Sequence, residues 1–300
     1  MPTHPLITFL SDFGAIGGYV AACELVMVRL APTARIVHLC HAVPPGDIRQ
    51  GALLLARLAP LAPVAVHLGV VDPGVGTGRE ALCIACRRGD LLVGPNNGLL
   101  LTAAQVLGGL ERVWSMAPGI LADKGGRALD RGRAPSRTFH GRDVFAPAAA
   151  LLALGQDPAE FGPELDCRRL VQPPLPRTVL QADRVVATII EIDTFGNIEL
   201  SAPFEAIEAL AKPSPDETGK MTEIECRLRS AGCAGPVHRM PLVHVFADLD
   251  RGRLGILRDS WGKAAIVAGQ SSAAKALGAV VGDEVELTPA AAEEEQGGIG

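Results

Sequence analysis

The order of the apolar segments in the first half of the chain constrains the fold more than any other feature. Three short apolar runs, each typical of a buried strand, alternate with two segments of helical periodicity. The last run is apolar at nearly every position, as expected of a strand that helices cover on both faces. The alternation therefore predicts a mainly parallel, doubly wound α/β sheet. In chain order the predicted elements are a strand at Leu6–Leu10, a helix at Gly18–Leu30, a strand at Arg35–Leu39, a helix capped by Asp47 that runs to Leu58, and a strand at Val64–Val71.

Further segments complete this half of the chain. Ala81–Cys86 and Leu91–Gly94 predict a β-hairpin, and Asn96–Gly98 predicts a turn that leads into an apolar helix. Residues 117–138 are rich in Gly and Arg and predict a loop, whereas Val144–Leu154 predicts a helix.

A Pro-dense segment separates two regions of different pattern. Val171–Arg177 has no periodicity, which is typical of a linker between domains. We expect an N-terminal α/β domain over residues 1–170, a linker over 171–181, a smaller antiparallel β-barrel-like domain over 182–289 and a disordered tail over 290–300. The predicted elements of the second domain are strands at Val185–Ile192, Ile224–Leu228, Leu242–Phe246, Leu254–Leu257 and Ala264–Val267, and a short helix at Ser271–Leu277.

Composition argues against several classes of protein. The net charge of −5 and the aromatic content of 4% disfavour a nucleic-acid-binding protein, which needs a basic surface and rings for stacking. No apolar run has the roughly 18–20 residues that cross a bilayer, and the N-terminus lacks the pattern of a signal peptide. Seven cysteines at scattered spacings are typical of thiols in a reducing compartment. We therefore expect a cytoplasmic protein without nucleic-acid or membrane partners.

Two motifs are similar to common sites but differ from them in detail. Gly74–Gly78 has the spacing G-x-G-x-G before strand-like residues, whereas a dinucleotide fingerprint needs G-x-G-x-x-G before a helix. Cys83 and Cys86 are three residues apart in a predicted strand, so their sulfurs point to opposite faces and a shared zinc ion is disfavoured. Three histidines in apolar strand contexts are interpreted as hydrogen-bonded core residues: His38, His67 and His244.

Asp12, Asp72 and His140 form a stronger constellation. Asp12 and Asp72 each follow a predicted parallel strand, at the sheet edge where ligands bind in doubly wound folds. Arg79 follows Asp72 by one loop, and His140 stands before a predicted helix. Each residue alone could cap a turn or a helix. Together, an acid, a guanidinium and an imidazole at one edge predict a site that activates a polar nucleophile.

Several stretches carry a pattern that extends, in order, over nearly the whole chain. They are Ile7–Gly14, His41–Gly51, Val70–Gly76, Val93–Leu99, Thr138–Asp143 and Asp193–Asn197, with a looser match over Asp259–Gly282. In this combination the sequence resembles the adenosine-forming S-adenosylmethionine (SAM) hydrolases, also called SAM hydroxide adenosyltransferases, whose halogenating relatives are fluorinase and chlorinase. The resemblance implies an α/β domain followed by a β-barrel-like domain. It also implies a homotrimer whose ligand lies between the N-terminal domain of one subunit and the C-terminal domain of its neighbour.

The resemblance also implies roles for individual residues. Asp72, Arg79 and His140 match the family's residues that position and activate water. The other matches concern the ligand: Asp12 and also Asp72 for the ribose side, Asp193 for the methionine ammonium, Asn197 for adenine, Phe246 for stacking on adenine, Ser260 for the methionine carboxylate and Val267 for backbone bonds to the base. A single carboxylate can accept hydrogen bonds from two adjacent hydroxyls, which suits the role of Asp12 on the ribose diol.

The implied reaction is hydrolysis of SAM to adenosine and methionine, without a metal or organic cofactor. SAM carries a sulfonium, so its thioether leaves without protonation when water attacks C5′. Holding that water about 3–3.5 Å from C5′ contributes several kcal/mol. We hypothesise that His140 accepts or relays the proton, that Arg79 stabilises hydroxide character, and that Asp72 fixes Arg79 or the ribose.

Other functions remain open at this point. The chain departs from the family pattern at Asn96, and on the C-terminal-domain side at Trp261 and Ala265. The C-terminal departures support a second hypothesis, a non-catalytic protein that binds adenosine or SAM. A halogenase is disfavoured, because the Tyr-Ser pair of halogenases is His140-Gly141 here and Gly141 has no hydroxyl to bind halide. A different nucleoside substrate is a third alternative.

Overall fold

The computed structural model describes residues 5–129, 135–211, 223–230 and 233–290. The chain divides into two compact units, and the division falls between Leu175 and Pro176, inside the Pro-dense segment. These are unit 1, which ends at Leu175, and unit 2, which begins at Pro176. The tail predicted to be disordered lies outside the described residues, except for Ala290. Across the described ranges, no helix is long and apolar enough to cross a membrane.

Unit 1 is built on a six-stranded sheet. In chain order its strands are β1 (Leu6–Ser11), β2 (Arg35–Cys40), β3 (Val66–Val70), β4 (Ala81–Cys86), β5 (Leu91–Pro95) and β6 (Leu110–Met116). Across the sheet the order is β2-β1-β3-β5-β4-β6. The first four strands of that order are parallel, and β4 is antiparallel to both of its neighbours. The mainly parallel sheet and the hairpin of β4 and β5 are therefore confirmed.

Helices cover both faces of this sheet, as predicted. Ile7 and Phe9 of β1 pack in one core cluster with apolar side chains of the first and fifth helices, whereas Leu10 packs in another with those of the second and third. This division follows from the two-residue period of a strand. Asp47 caps the second helix by accepting from the Gln50 N–H at 2.9 Å. The helices are α1 (Tyr19–Leu30), α2 (Ile48–Leu58), α3 (Leu101–Val106), α4 (Pro118–Leu129) and α5 (Ala146–Ala153), the last preceded by a π-helical turn at Gly141–Phe145.

The loop predicted over residues 117–138 is wrong in its first half, because Pro118–Leu129 forms α4. Proline is well suited to a first helical turn, where its missing N–H would have no partner within the helix. Leu121 is fully buried in the core. Packing of this side chain therefore stabilises a helix in a segment whose Gly content favours a loop.

Unit 2 is an antiparallel sheet with the strand order β11-β10-β14-β8-β9-β13-β12, and β7 pairs with β8. Its strands are β7 (Val179–Leu180), β8 (Val185–Ile192), β9 (Ile198–Pro203), β10 (Glu223–Ser230), β11 (Cys233–Pro241), β12 (Leu254–Arg258), β13 (Lys263–Ala268) and β14 (Glu284–Pro289), and its helices are α6 (Phe204–Glu208) and α7 (Ala273–Leu277). A bridge between Leu242 and Ile256 links the segment after β11 to β12, at the opposite end of this order. The sheet therefore approaches a closed barrel, which confirms the predicted fold of this domain.

The strand predicted at Leu242–Phe246 is wrong. Leu242 makes only an isolated bridge, and a 3₁₀ turn begins at Phe246. The Asp248 carboxylate accepts from the N–H groups of His244 and Val245 at 3.0 and 3.1 Å. These side chain–backbone bonds take the donors that a strand ladder would use, so the chain turns despite its apolar composition.

Candidate active site

The site of interest in unit 1 lies where the order of the strands along the sheet reverses. Strand β1 has β2 on one side and β3 on the other, and Ser11 of β1 is in register with Val70 of β3. In doubly wound sheets the crevice at such a switch point, beyond the carboxyl ends of the strands, is where ligands bind. Asp12 directly follows β1 and Asp72 follows β3, so the topology places both carboxylates at this crevice, as predicted.

Asp72, Arg79 and His140 form one hydrogen-bonded set. Arg79 Nε donates to Asp72 Oδ1 at 2.8 Å, and Arg79 Nη2 donates to Asp72 Oδ2. The same Nη2 donates to His140 Nδ1 at 3.1 Å. The side chains of Arg79 and Asp72 are only 10% and 6% exposed, so solvent weakens this bidentate pair little. The structure therefore brings together the three residues that the sequence analysis assigned to water activation.

The glycine-containing loop between Asp72 and Arg79 folds back on itself. Its backbone turns through N–H bonds from Val75 to Asp72 O and from Thr77 to Gly74 O, each 3.2 Å long. Gly76 has φ +77, and a Cβ built on it would lie 2.2 Å from a backbone oxygen of Arg137. Only glycine fits this position. These glycines shape a tight turn that returns Arg79 to Asp72, which agrees with the rejection of a dinucleotide site.

The environment of His140 favours the neutral imidazole. Burial and the positive charge of Arg79 hold the pKa of His140 below its ordinary value of 6.5, against the opposite influence of Asp72 and Asp143. A guanidinium can only donate hydrogen bonds, so Nδ1 of His140 accepts the bond from Arg79. The hydrogen of the neutral ring therefore resides on Nε2.

Aromatic packing fixes the turn that carries His140. A Cβ built on Gly141 would lie 2.8 Å from Cζ of Phe13 and 3.3 Å from Cε2 of Phe139. The Arg79 guanidinium lies over the Phe145 ring, 5.0 Å from its centroid. The π-helical turn at Gly141–Phe145 begins three residues before the predicted helix over Val144–Leu154, and such turns occur frequently at functional sites.

Asp12 lies near this set through an intervening loop. Its Oδ2 accepts from the Gly46 N–H at 2.8 Å. A Cβ built on Gly46 would lie 3.7 Å from Cβ of Pro73, the residue after Asp72. Asp12 is therefore anchored by backbone at the same sheet edge, and its carboxylate retains further acceptor capacity for a diol.

The sequence analysis missed Phe13 and Glu80 as neighbours of the site. Phe13 packs against Gly141, and the backbone oxygen of Glu80 accepts from Arg79 Nη1 at 3.4 Å. The signal that could have identified them was their position next to predicted site residues in the sequence. Phe13 directly follows Asp12, and Glu80 directly follows Arg79.

In unit 2, two of the ligand residues implied by the resemblance lie together. Asp193 Oδ1 accepts from the N–H groups of Phe195 and Asn197, both at 2.9 Å, and Asn197 Nδ2 donates to Asp193 Oδ2 at 2.8 Å. These bonds hold the turn between β8 and β9. They also fix the orientation of the Asn197 amide.

The other implied ligand residues lie on separate segments of unit 2. Phe246 is 53% exposed and Ser260 is exposed, whereas Val267 is fully buried in β13 opposite Gly255. Near Ser260, the Trp261 N–H binds the Asp259 carboxylate at 2.8 Å. The buried Val267 side chain is compatible with a role through backbone groups, which is the role that the resemblance implies.

The remaining histidine and cysteine predictions have mixed outcomes. His67 is fully buried between Thr8 and Asp90, as predicted, whereas His38 and His244 are exposed and are not core residues. His38 lies on β2, the strand at one end of the sheet order. Cys83 and Cys86 pack in different core clusters, which confirms that they point to opposite faces. No group of three potential metal ligands occurs within the described ranges.

The fold and this site define a two-domain protein with a polar set at the switch point of its α/β sheet. The family model of the SAM hydroxide adenosyltransferase N-terminal domain matches residues 7–162, and that of the C-terminal domain matches residues 187–286. The chain therefore belongs to the SAM hydroxide adenosyltransferase family.

Individual relatives agree with this assignment. The chain is 41% identical to an (R)-S-adenosyl-L-methionine hydrolase of Salinispora tropica, over 96% of this chain and 99% of that protein. It is 36% identical to a protein of the same name from Thermus thermophilus, over 94% and 98% of the two chains. Three fluorinases match at 24–27% identity. The crystal structure of an uncharacterised conserved protein from Thermotoga maritima superimposes with a TM-score of 0.78 at 29% identity, covering 94% of this chain and 99% of that one.

Proposed function

We propose that this protein hydrolyses SAM to adenosine and methionine. The observation that carries the proposal is the hydrogen-bonded set of Asp72, Arg79 and His140 at the switch point of the sheet. Full-length relatives named (R)-S-adenosyl-L-methionine hydrolase support the same substrate. An acid, a guanidinium and a neutral imidazole held together suit the orientation and activation of a water molecule.

The proposed reaction is a single in-line displacement. The water oxygen forms a bond to C5′ as the bond between C5′ and sulfur breaks, and the electron pair of that bond passes to sulfur. The sulfonium becomes the neutral thioether of methionine, the water oxygen becomes the 5′-hydroxyl of adenosine, and one proton is released. Because the leaving group is neutral, the protein need not supply an acid, and its main contributions are orientation and polarisation of water.

The hydrogen-bond directions in the set assign a task to each side chain. Asp72 anchors Arg79 through two bonds, so the guanidinium has a fixed orientation. In the arrangement observed, His140 presents Nε2–H as a donor, and its lone pair at Nδ1 faces Arg79. We therefore assign water orientation to the Nε2–H of His140 and to Arg79. If His140 accepts a proton, that proton binds Nδ1 and replaces the hydrogen bond from Arg79. The negative charge of Asp72 then stabilises the imidazolium.

The binding roles remain proposals that rest on the family resemblance. Asp12 would bind the ribose diol, and Asp72 would contact the ribose side of the site. The residues of unit 2 proposed to bind substrate are Asp193, Asn197, Phe246, Ser260 and Val267. We likewise propose a homotrimer with its sites at subunit interfaces, no metal or organic cofactor, and a cytoplasmic location. Light scattering coupled to size-exclusion chromatography measures the first of these, and a monomeric mass would contradict it.

One other function is favoured by a specific observation. The second candidate is a protein that binds adenosine or SAM without turnover. Two features of the proposed substrate-binding residues in unit 2 favour it. Asp193 and Asn197 bind each other, and the chain departs from the family pattern at Trp261 and Ala265. A purely binding protein would have no need for the pair of Arg79 and His140. The halogenase alternative is disfavoured further by the packing of Gly141 against Phe13, which fills the space that a serine side chain would take.

The deciding experiment is incubation of the purified protein with SAM, followed by chromatography. We expect adenosine and methionine to accumulate in equal amounts over many turnovers, and loss of this activity in His140→Ala and Arg79→Ala. Tight binding of SAM without products would support the binding protein instead. Addition of fluoride or chloride should yield no halogenated nucleoside, and a panel of other nucleosides should yield no cleavage.

A further inference from the structure

The turn Asn96–Gly98 contacts the chain on the Asp72 side of the ion pair. Asn97 Nδ2 donates to the backbone oxygen of Val71 at 2.8 Å, and Val71 directly precedes Asp72. Asn97 Oδ1 accepts from the Leu99 N–H at 3.2 Å, which fixes the orientation of the amide. The turn therefore restrains the backbone from which the Asp72 side chain emerges.

The same turn contacts the chain on the Arg79 side. Asn96 donates to Glu80 twice, from its backbone N–H to Glu80 O at 2.9 Å and from Nδ2 to Glu80 Oε2 at 3.0 Å. The Glu80 oxygen in the first of these bonds also accepts from Arg79 Nη1 at 3.4 Å. Asn96 thus restrains both the backbone and the side chain of the residue that follows Arg79 and binds its guanidinium.

The chemistry of this contact requires an amide at position 96. Asn96 is 8% exposed, and its Nδ2 also donates to Arg169 O at 3.1 Å, while Oδ1 accepts from the Val171 N–H at 3.0 Å. A carboxylate has no N–H to donate and would face the Glu80 carboxylate at about hydrogen-bond distance. The amide of Asn96 therefore supplies a donor that Glu80 accepts and that a carboxylate could not supply.

We propose that Glu80 and Asn96 are positioning residues for the reaction, holding Arg79 in the orientation that serves the attacking water. The inference rests on the proposed hydrolysis of SAM. The pair acts through the third donor nitrogen of Arg79, at the opposite side of the guanidinium from the bonds to Asp72. Loss of the contact between Glu80 and Asn96 therefore changes the orientation of Arg79 without removing the positive charge of the guanidinium. A misplacement of about 1 Å can reduce the rate by up to about 100-fold.

The test is Asn96→Asp, which preserves the shape of the side chain and removes its donors. We expect kcat for adenosine release at pH 8 to fall about tenfold or more, with KM for SAM changed less than about threefold. As the pH is lowered, the ratio of the variant's kcat to that of the wild type should rise, because the two facing carboxyl groups then share one proton. The double variant Asn96→Asp/Glu80→Gln keeps the wild-type net charge and an amide–carboxylate contact. It should recover part of the lost kcat without that pH dependence, because only the bond to the Arg169 oxygen stays lost.

A matched control separates this role from anchoring of the segment that contains Arg169 and Val171, which also binds Asn96. Arg169 Nη2 binds Glu80 Oε1 at 2.5 Å from an exposed position. Arg169→Met removes this partner but leaves the contact between Asn96 and Glu80, so kcat should stay within about threefold of wild type. An equal loss of kcat in Arg169→Met, or no recovery in the double variant, would overturn the inference, as would an Asn96→Asp variant with the wild-type kcat at every pH.

A second readout does not depend on hydrolysis. Arg79 lowers the pKa of His140, so a displaced guanidinium should raise the midpoint of the His140 imidazole titration measured by NMR in Asn96→Asp. The double variant should return it toward the wild-type value. The neutral variant Asn96→Ala removes the same donors without adding charge and should also raise the midpoint, which excludes a simple effect of added charge. If the wild-type protein releases no adenosine, the proposed function fails while this titration still decides the positioning role: an unchanged midpoint overturns it.

Discussion

Arg79 Nη2 donates to His140 Nδ1 at 3.1 Å, while Arg79 Nε donates to Asp72 at 2.8 Å. One planar cation therefore orders an acid and an imidazole and sets the tautomer of the latter. A lysine ammonium is a point charge and cannot bind both partners in this fork-shaped geometry. The guanidinium shape, in addition to the charge, is what joins the set.

Arg79→Lys should consequently reduce kcat for SAM hydrolysis by about 100- to 1000-fold, the range seen when one preorganised donor is lost from an active site. KM should change much less, because none of the proposed contacts to the ribose or the base is made by Arg79 itself. Steady-state adenosine release measures both parameters. Arg112→Lys is the matched control, since Arg112 pairs with Glu164 on the surface, where both side chains are 54% exposed. A variant at Arg79 with the control's activity would exclude the guanidinium from the mechanism.

The activity should depend on pH through His140. Burial and Arg79 lower the pKa of this imidazole, so the neutral ring is the major form down to a pH below 6.5. We expect kcat to be constant above that region and to fall as the pH drops through the pKa, because protonation of Nδ1 breaks the bond from Arg79. His140→Gln should abolish this acid limb along with most of the activity. A limb centred at or above pH 6.5 would contradict the assignment.

Gly141→Ser should destabilise the protein. A Cβ at this position would lie 2.8 Å from the Phe13 ring, which is held by ring contacts with Phe9, Tyr19 and Phe139. Overpacking of this kind costs about 1–3 kcal/mol, so thermal unfolding should begin several degrees lower. Phe13→Leu in the same chain should restore part of the loss. The substitution alone should create no halogenase activity, and a halogenated product would show that the packing does not limit the nucleophile.

The buried pair of His67 and Asp90 should stabilise unit 1. Burial alone would raise the pKa of Asp90, but hydrogen bonds from Arg88, from His67 and from the Ala65 N–H outweigh it and lower this pKa. Asp90→Asn removes the charge and replaces one acceptor oxygen with an NH2 donor, so part of the surrounding donors lose their acceptor, at a cost of about 3–5 kcal/mol. Since the folded pKa lies below the unfolded value of about 3.9, the loss should be complete above pH 4 and should shrink as the pH falls further.

Chemical denaturation of Asp90→Asn at several pH values measures this effect. Glu164→Gln, in the exposed pair with Arg112, is the matched control and should change stability by less than about 1 kcal/mol. Equal effects of the two substitutions would show that burial of the Asp90 contact contributes nothing.

Dialysis against a chelator should leave hydrolysis unchanged, because the proposed displacement needs no Lewis acid. The measurement is kcat before and after treatment, with added divalent cations as a further arm. A loss that a particular cation reverses would contradict the proposal that no metal cofactor takes part and require a different activation of water.

Much of the fold could be predicted from sequence because the relevant signals are local. The apolar run that became β3 and the Asp47 cap of α2 each depend on neighbours within a few residues. The errors occurred where a contact distant in sequence or a side chain–backbone bond outweighed the local pattern. Burial of Leu121 accompanies a helix where composition favours a loop, and Asp248 turns a segment whose apolar residues favour a strand.

The sequence by itself determined that Asp12 and Asp72 would each follow a strand of a parallel sheet, since strand periodicity and helix caps fix where each element ends. Only the tertiary structure decided that Arg79 meets His140, 61 residues further along the chain, and that Asn96 meets Glu80. The physical reason is that a repeating pattern sets which face of an element is buried, whereas a contact between distant residues also depends on strand order, register and loop path. The direction of the bond from Arg79 to His140, and with it the tautomer of the imidazole, follows only from that three-dimensional arrangement.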